Sequence, residues 1–235
     1  MKHTPEGKKP SNILAHKKIP GGCMNSKGKA GCGCLIFILV ICMVAAGILI
    51  HPISLKFIAN QFRYEDKIFQ SDVIFVPRFS EDKNGEVYTE AFREFWAGNG
   101  REIWLEDDKV LGMNISEIVL KLARERGIKD GVIKKIVLNV EEKYKSEGIR
   151  RYIEKAGVKK VILIVPEYAS RRFHLMYGSH RDDEKALFLV KPVNVSYFKK
   201  DKWWKDASSR EALFNELFLM CSYYSNKFKY GTKEK

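Results

Sequence analysis

Short apolar runs and amphipathic stretches take turns along most of the chain, and their lengths separate strands from helices. The runs SDVIFVPRF (71–79), KKIVLNV (134–140), KKVILIVPE (159–167) and KALFLVKPV (185–193) are apolar at consecutive positions, the pattern of strands covered on both faces. REIWLED (101–107) is a shorter strand of the same kind. Between them, VYTEAFREFWAGNG (87–100) sets Ala91, Phe92, Phe95 and Trp96 on one side of a helix and ends in glycines. Asn114-Ile115-Ser116-Glu117 opens a second helix, whose Ile118, Leu120, Leu122 and Ala123 have helical periodicity and which Gly127 stops. EEKYKSEGIRRYIEKAG (141–157) fills the next gap as a helix. Strands apolar on both faces and separated by helices predict an α/β domain over 68–230 built on a mostly parallel sheet.

A different pattern precedes this domain. CGCLIFILVICMVAAGILI (32–50) carries no charge over 19 residues. As a helix it reaches about 28 Å, against a hydrocarbon core of roughly 30 Å. A transmembrane helix over 32–51 is therefore expected; a cleaved signal peptide is the rival, but the run continues through Ile48, Leu49 and Ile50 beyond the usual apolar region. Residues 52–67 read as a juxtamembrane linker.

Charge orients the assembly. Of the net +13, the first 33 residues supply +6 through seven lysines against Glu6, so residues 1–31 are expected to be a disordered basic tail on the cytoplasmic side, with the globular part outside. From residue 52 onward, 35 basic face 28 acidic side chains, too even a balance, with no reader motif, for a nucleic-acid partner. Cys23, Cys32, Cys34 and Cys42 lie in the tail or the apolar run, which leaves Cys221 alone in the domain and excludes a disulfide framework there. The Cys32–Cys34 pair lacks nearby histidines, so no metal site is expected. The chain of 235 residues, 45% hydrophobic and 30% charged, suits one such domain.

Candidate chemistry lies after the strands, since ligands of open α/β sheets sit beyond the strands' carboxyl ends, next to helix N-termini. VILIVPEYASRRFHLMY (161–177) empties a buried strand into a helix start bearing Arg171 and Arg172, two forked donors suited to phosphate or carboxylate. The competing reading makes them solvated surface residues paired with Glu167 or Asp182. Trp203 and Trp204, beside Lys199, Lys200 and Lys202, suit either a membrane-interface belt or packing of one indole under the final helix, and packing is the commoner outcome.

Five blocks together resemble the SanA/YdcF-like family: SDVIFVP, AFREFWAGNGREIWLE, SEIVLKLARERGI, VILIVPEYASRRFHLMY and WWKDASSREALFNELFLMCSYY. The resemblance covers about 68–228 and the preceding anchor. It implies a Rossmann-like three-layer domain, outside the cytoplasmic membrane, with a role in cell-envelope or peptidoglycan-related processes. It places Ser116 and Glu117 on the family's Ser-Glu pair, Arg172 on its His-x-x-Arg arginine, and Glu216 on its C-terminal Asn-Glu.

The departures are as informative. The family's glycine turn after the first strand reads Pro77-Arg78-Phe79-Ser80, its histidine is Ala169, and its Asn-Thr block is reduced to KYKSEG (143–148), with Lys143 and Tyr144 in place of Asn and Thr and Glu147 a candidate for its glutamate. His174, five residues on from Ala169, belongs to another helix face. These losses leave a ligand-binding set of Arg78, Ser116, Glu117, Arg171, Arg172 and Glu216, and Glu117 as the candidate catalytic base. The expected function is binding of an anionic phosphate- or sugar-containing envelope precursor, or of a protein partner, without a cofactor. The alternative is a hydrolase or transferase acting on such a precursor, and the missing glycines disfavour nucleotide or S-adenosylmethionine binding.

Overall fold

The computed structural model describes residues 27–231 apart from 80, 83, 108, 111–112, 138–144 and 179–185. The tail before residue 27, with Lys143, Tyr144 and Asp182, therefore lies outside the described residues. The chain divides into two compact units, 1–48 and 49–235. The first contains most of α1 (Lys27–Ile50), whose apolar side chains Leu35 to Ile41 are all exposed. Among the described residues no single helix is long and apolar enough to cross a membrane; Cys34–Ile48 and α2 (Pro52–Asn60) meet the length and composition only when taken together.

The second unit is an α/β fold on a parallel five-stranded sheet, as the apolar runs predict. Its strands are β1 (Val73–Val76), β2 (Glu102–Glu106), β5 (Ile133–Ile136), β6 (Lys160–Pro166) and β7 (Leu187–Val193), in the order β5-β2-β1-β6-β7. The two-stranded antiparallel ladder β3 (Lys109–Val110) and β4 (Met113–Asn114) was not expected. All four residues of β1 and six of seven in β6 are buried, so both sheet faces are covered at the centre. The helices are α3 (Glu86–Trp96), α4 (Ile115–Glu125), α5 (Lys145–Lys155), α6 (Ser170–Tyr177) and α7 (Ala207–Gly231), the last entered through a 3-10 turn at Lys200–Lys205. Because parallel crossovers are right-handed, α3 and α4 take one face and α5 and α6 the other.

Several boundaries are tighter than the pattern suggests. The first strand is four residues long rather than nine, because Pro77 has no N–H to continue a ladder. Helix α3 stops at Trp96, where Gly98 takes a left-handed φ of 75°. Gly100, next along, is required by contact: a Cβ there would lie 2.5 Å from Ile74 Cγ1, a fully buried atom group of β1. Gly100→Ala is expected to destabilise the domain by about 1–3 kcal/mol through overpacking. Denaturant titration checks this, and an unchanged midpoint would mean that Ile74 has room to retreat.

Residues 52–67 differ most from expectation. They are no free linker: Ala59 and Phe62 are buried in the domain core, Asp66 N–H donates to the Val190 carbonyl, and the Asp66 carboxylate accepts from the Val190 N–H (2.9 Å). The folded unit thus begins well before residue 68.

Candidate functional site

With β1 and β6 adjacent and crossovers leaving in opposite directions, the sheet has its switch point between them, where a crevice is expected at the carboxyl ends. A cavity of about 380 Å³ opens there. Pro77, Arg78 and Phe79 line it from the loop after β1, Glu106 from the last position of β2, and Ser146 and Ile149 from α5. Arg172, Phe173, Met176 and Tyr177 of α6 and Leu219 of α7 complete its wall with Glu81.

The loop after β1 is built from its own chemistry. Pro77 offers no N–H and Phe79 is buried against Phe173 with ring centroids 5.4 Å apart, so no glycine cradle for an anion exists at this turn. The Arg78 N–H instead donates to Glu106 Oε2 (3.1 Å), fixing the loop to the end of β2. Beneath them, burial pushes the Tyr88 phenol up to about 12, and the charges of Asp82 and Glu106 push the same way against the pull of Arg78.

Arg172 is positioned by α6 but is not open for a ligand. Its Nε donates to Glu216 Oε1 (2.7 Å) and its Nη2 to Glu216 Oε2 (3.0 Å), a forked pair with Glu216 only 2% exposed. Nη1 reaches Met176 Sδ (3.6 Å), and the guanidinium lies over the Phe173 ring. Burial holds the Glu216 carboxyl above its ordinary range, with Arg172 pulling it back. Among the described residues the partner of Arg172 is thus not Glu167 but the glutamate of the C-terminal helix.

The helix N-terminus after β6 is occupied too. Its Arg171 N–H donates to the Phe62 carbonyl (3.0 Å), and Ser170 Oγ accepts the Tyr64 N–H (2.7 Å) while donating to the Glu167 carbonyl. The segment before β1 therefore occupies one of the N–H donors that an anion would use, that of Arg171. Arg171 itself is exposed and does not line the cavity. His174, on the same helix, stacks on Tyr64 at 3.5 Å, and burial lowers its pKa.

Ser116 and Glu117 also fall outside the cavity lining. Ser116 is buried in α4, its Oγ without a hydrogen-bond partner among the described residues, and Glu117 is exposed on the same helix. Of the six expected ligand-binding residues, the cavity wall holds Arg78 and Arg172, with Glu216 behind Arg172. Glu81 and Glu106 are the site carboxylates that sequence reasoning missed. Glu106 had a readable signal, an acid ending the REIWLED strand on the ligand side of the sheet.

The site's electrostatics follow from this census. Glu216 already matches Arg172, which leaves Arg78 facing two carboxylates, Glu81 and Glu106, so among the described residues the lining is mixed with one acid in excess rather than a basic bowl. A second cavity of about 790 Å³ shares Glu81 with the first, and its lining among the described residues, Asn84, Tyr197, Ser208, Glu211, Ala212, Phe214 and Asn215, holds no basic side chain. There, burial pushes the phenols of Tyr197 and Tyr168, 3.4 Å apart, far up, so both remain protonated donors. A third, of about 450 Å³, lies by Glu167 and Lys199 to Lys202; burial raises the Glu167 carboxyl although Lys200 (3.6 Å) and Arg63 (3.8 Å) attract it.

Among the described residues no group of three or more His, Cys, Asp or Glu side chains could hold a metal ion. No protein-family model matches the chain, and no curated protein matches it either.

Proposed function

We propose that the chain is a membrane-anchored, extracytoplasmic domain of the SanA/YdcF-like kind that binds a phosphate- and sugar-containing envelope precursor without turning it over. The observation that carries this reading is the cavity at the switch point, where Arg78 stands beside Glu81 and Glu106. A guanidinium engages a phosphate oxygen, and carboxylates accept the hydroxyls of a sugar, so the mixed lining fits a sugar phosphate better than a bare anion. The volume, about 380 Å³, lies within the range of small-ligand sites. Binding is favoured over turnover because Glu117, the candidate base, is exposed and does not line the cavity. The apolar helix α1 and the basic tail before it support the anchor and the outward orientation.

The test is a calorimetric titration of the full chain in detergent with N-acetylglucosamine 1-phosphate, the unphosphorylated sugar and inorganic phosphate. The sugar phosphate is expected to bind most tightly, and Arg78→Ala to weaken it by about 10- to 100-fold, the worth of one charge-assisted hydrogen bond. Glu117→Gln and Arg171→Ala are expected to bind like the wild type. Equal affinity of wild type and Arg78→Ala would remove the cavity from consideration.

A further inference from the structure

Three parts of the fold wall the second cavity, of about 790 Å³. Glu81 and Asn84 come from the loop between β1 and α3, and Tyr197 from the loop after β7. Ser208, Glu211, Ala212 and Asn215 come from the start of α7, where steps of three, one and three residues put them on one face of the helix, and the exposed Phe214 completes the lining. Hydrogen bonds tie the two loops together. Asn84 Nδ2 donates to Ser196 Oγ (2.8 Å), and the Ser196 N–H donates to Glu86 Oε2 (2.8 Å). The Asp82 carboxylate accepts the N–H groups of Glu86 and Val87 (both 3.0 Å), which fixes the start of α3 next to the loop. The walls are therefore in place before a ligand arrives.

We propose that this cavity binds an alkylammonium group, that of a lysine side chain in a peptide or of a free diamine. Its lining is negative and aromatic at once. Among the described residues neither Glu81 nor Glu211 has a salt-bridge or hydrogen-bond partner, although the chain carries a net +13 and Glu90, Glu94, Glu147 and Glu216 each hold a cation. Burial is the main cause that raises the phenols of Tyr168 and Tyr197 and the carboxyl of Glu216, and the charge of Glu81 adds to all three, so a negative field crosses this wall. An ammonium head offers three N–H donors to the two carboxylates, while the rings of Tyr197 and Phe214 attract its charge and cover its methylenes. An anion would meet no described cation here, and a neutral apolar ligand would bury the carboxylates without partners. The volume, within the range of small-ligand sites, exceeds what an ammonium head fills, and the side chains of Asn84, Ser208 and Asn215 suit the amide groups of a longer ligand. Only Glu81 is common to this cavity and the first, so substitutions at Glu211 and Asn215 address this one alone.

Calorimetric titration of the full chain in detergent tests this, with Nα-acetyl-lysine N-methylamide and 1,5-diaminopentane as the two amines and Nα-acetyl-norleucine N-methylamide and 1,5-pentanediol as their uncharged counterparts. Both amines are expected to bind, the tighter of them naming the source of the ammonium group, and each uncharged counterpart to bind at least about 10-fold more weakly. Glu211→Gln, at an exposed position, is expected to weaken the amines by about 10- to 100-fold, the worth of a charge-assisted hydrogen bond, with the melting temperature unchanged. Asn215→Lys tethers an ammonium group on the same helix face and is expected to abolish amine binding. Both variants are expected to bind N-acetylglucosamine 1-phosphate as the wild type does, so the outcome here is separable from that of the first cavity. Amines that fail to bind, uncharged counterparts that bind equally well, or wild-type amine affinity in Glu211→Gln would each overturn the proposal. So would displacement of the amines by magnesium chloride at the same charge concentration, which would reduce the effect to screening of surface carboxylates.

Discussion

Arg172→Ala is expected to destabilise the domain by about 3–5 kcal/mol, because it leaves the Glu216 carboxylate buried without its counter-ion. For a chain of this size, that corresponds to a fall in Tm of roughly 6–20 °C. The sign of the pH dependence distinguishes this cause from simple loss of packing. Burial already holds the folded carboxyl of Glu216 above its unfolded value, and Arg172 is what pulls it down. A group raised in the folded state contributes stability below its unfolded pKa and loses it as pH rises through the folded pKa. Without Arg172 the raise grows, so the variant's deficit is expected to be largest at neutral pH and to shrink as pH falls and Glu216 protonates. Adding Glu216→Gln to the variant is expected to recover part of the loss at neutral pH and to flatten the pH profile. Thermal melts of the wild type and the two variants across the acid range supply the measurement, and a deficit independent of pH would show that the guanidinium acts through its packing on Phe173.

The same pair explains why the site was only partly readable from sequence. Arg172 and Glu216 are 44 positions apart, and nothing in the local pattern of either helix says that they meet. The apolar runs marked the central strands because burial on both faces leaves β1 and β6 no polar position to spare. Their ends were misjudged where backbone chemistry overrides hydropathy, as at Pro77. The pattern also hid the segment 61–66. Phe62, Tyr64 and Asp66 alternate with Arg63 and Glu65 and read as a balanced linker, yet this segment caps α6 through main-chain groups and holds the sheet edge at Val190 through both the N–H and the carboxylate of Asp66. Backbone hydrogen bonds carry no side-chain signature, so the occupied helix N-terminus was invisible, and with it the reason Arg171 does not face a ligand. Arg78 was legible because it directly follows a strand end in a parallel sheet, where topology alone fixes the neighbourhood.

Trp203→Ala is expected to cost about 3–5 kcal/mol, the range for truncating a buried aromatic. The indole is 6% exposed, packs edge-on against Phe214 at 6.2 Å, and donates from Nε1 to the Leu55 carbonyl (2.8 Å), so one side chain joins α7 to α2. Its neighbour Trp204 is only partly buried, and Trp204→Ala is expected to cost about 1 kcal/mol, near the average for a substitution. The paired tryptophans thus divide as packing predicts for one of them. The consequence is local as well as global. Helix α2 has nine residues, too few to hold its shape alone, and it is held by Ala59, by the partly buried Leu55 and Ile58, and by the turn that carries Trp203. Amide exchange over residues 53–60 is therefore expected to accelerate far more in Trp203→Ala than exchange in β1 or β6. If exchange rose equally in helix and sheet, α2 would be held by the domain as a whole, and the role assigned to this one indole would fall.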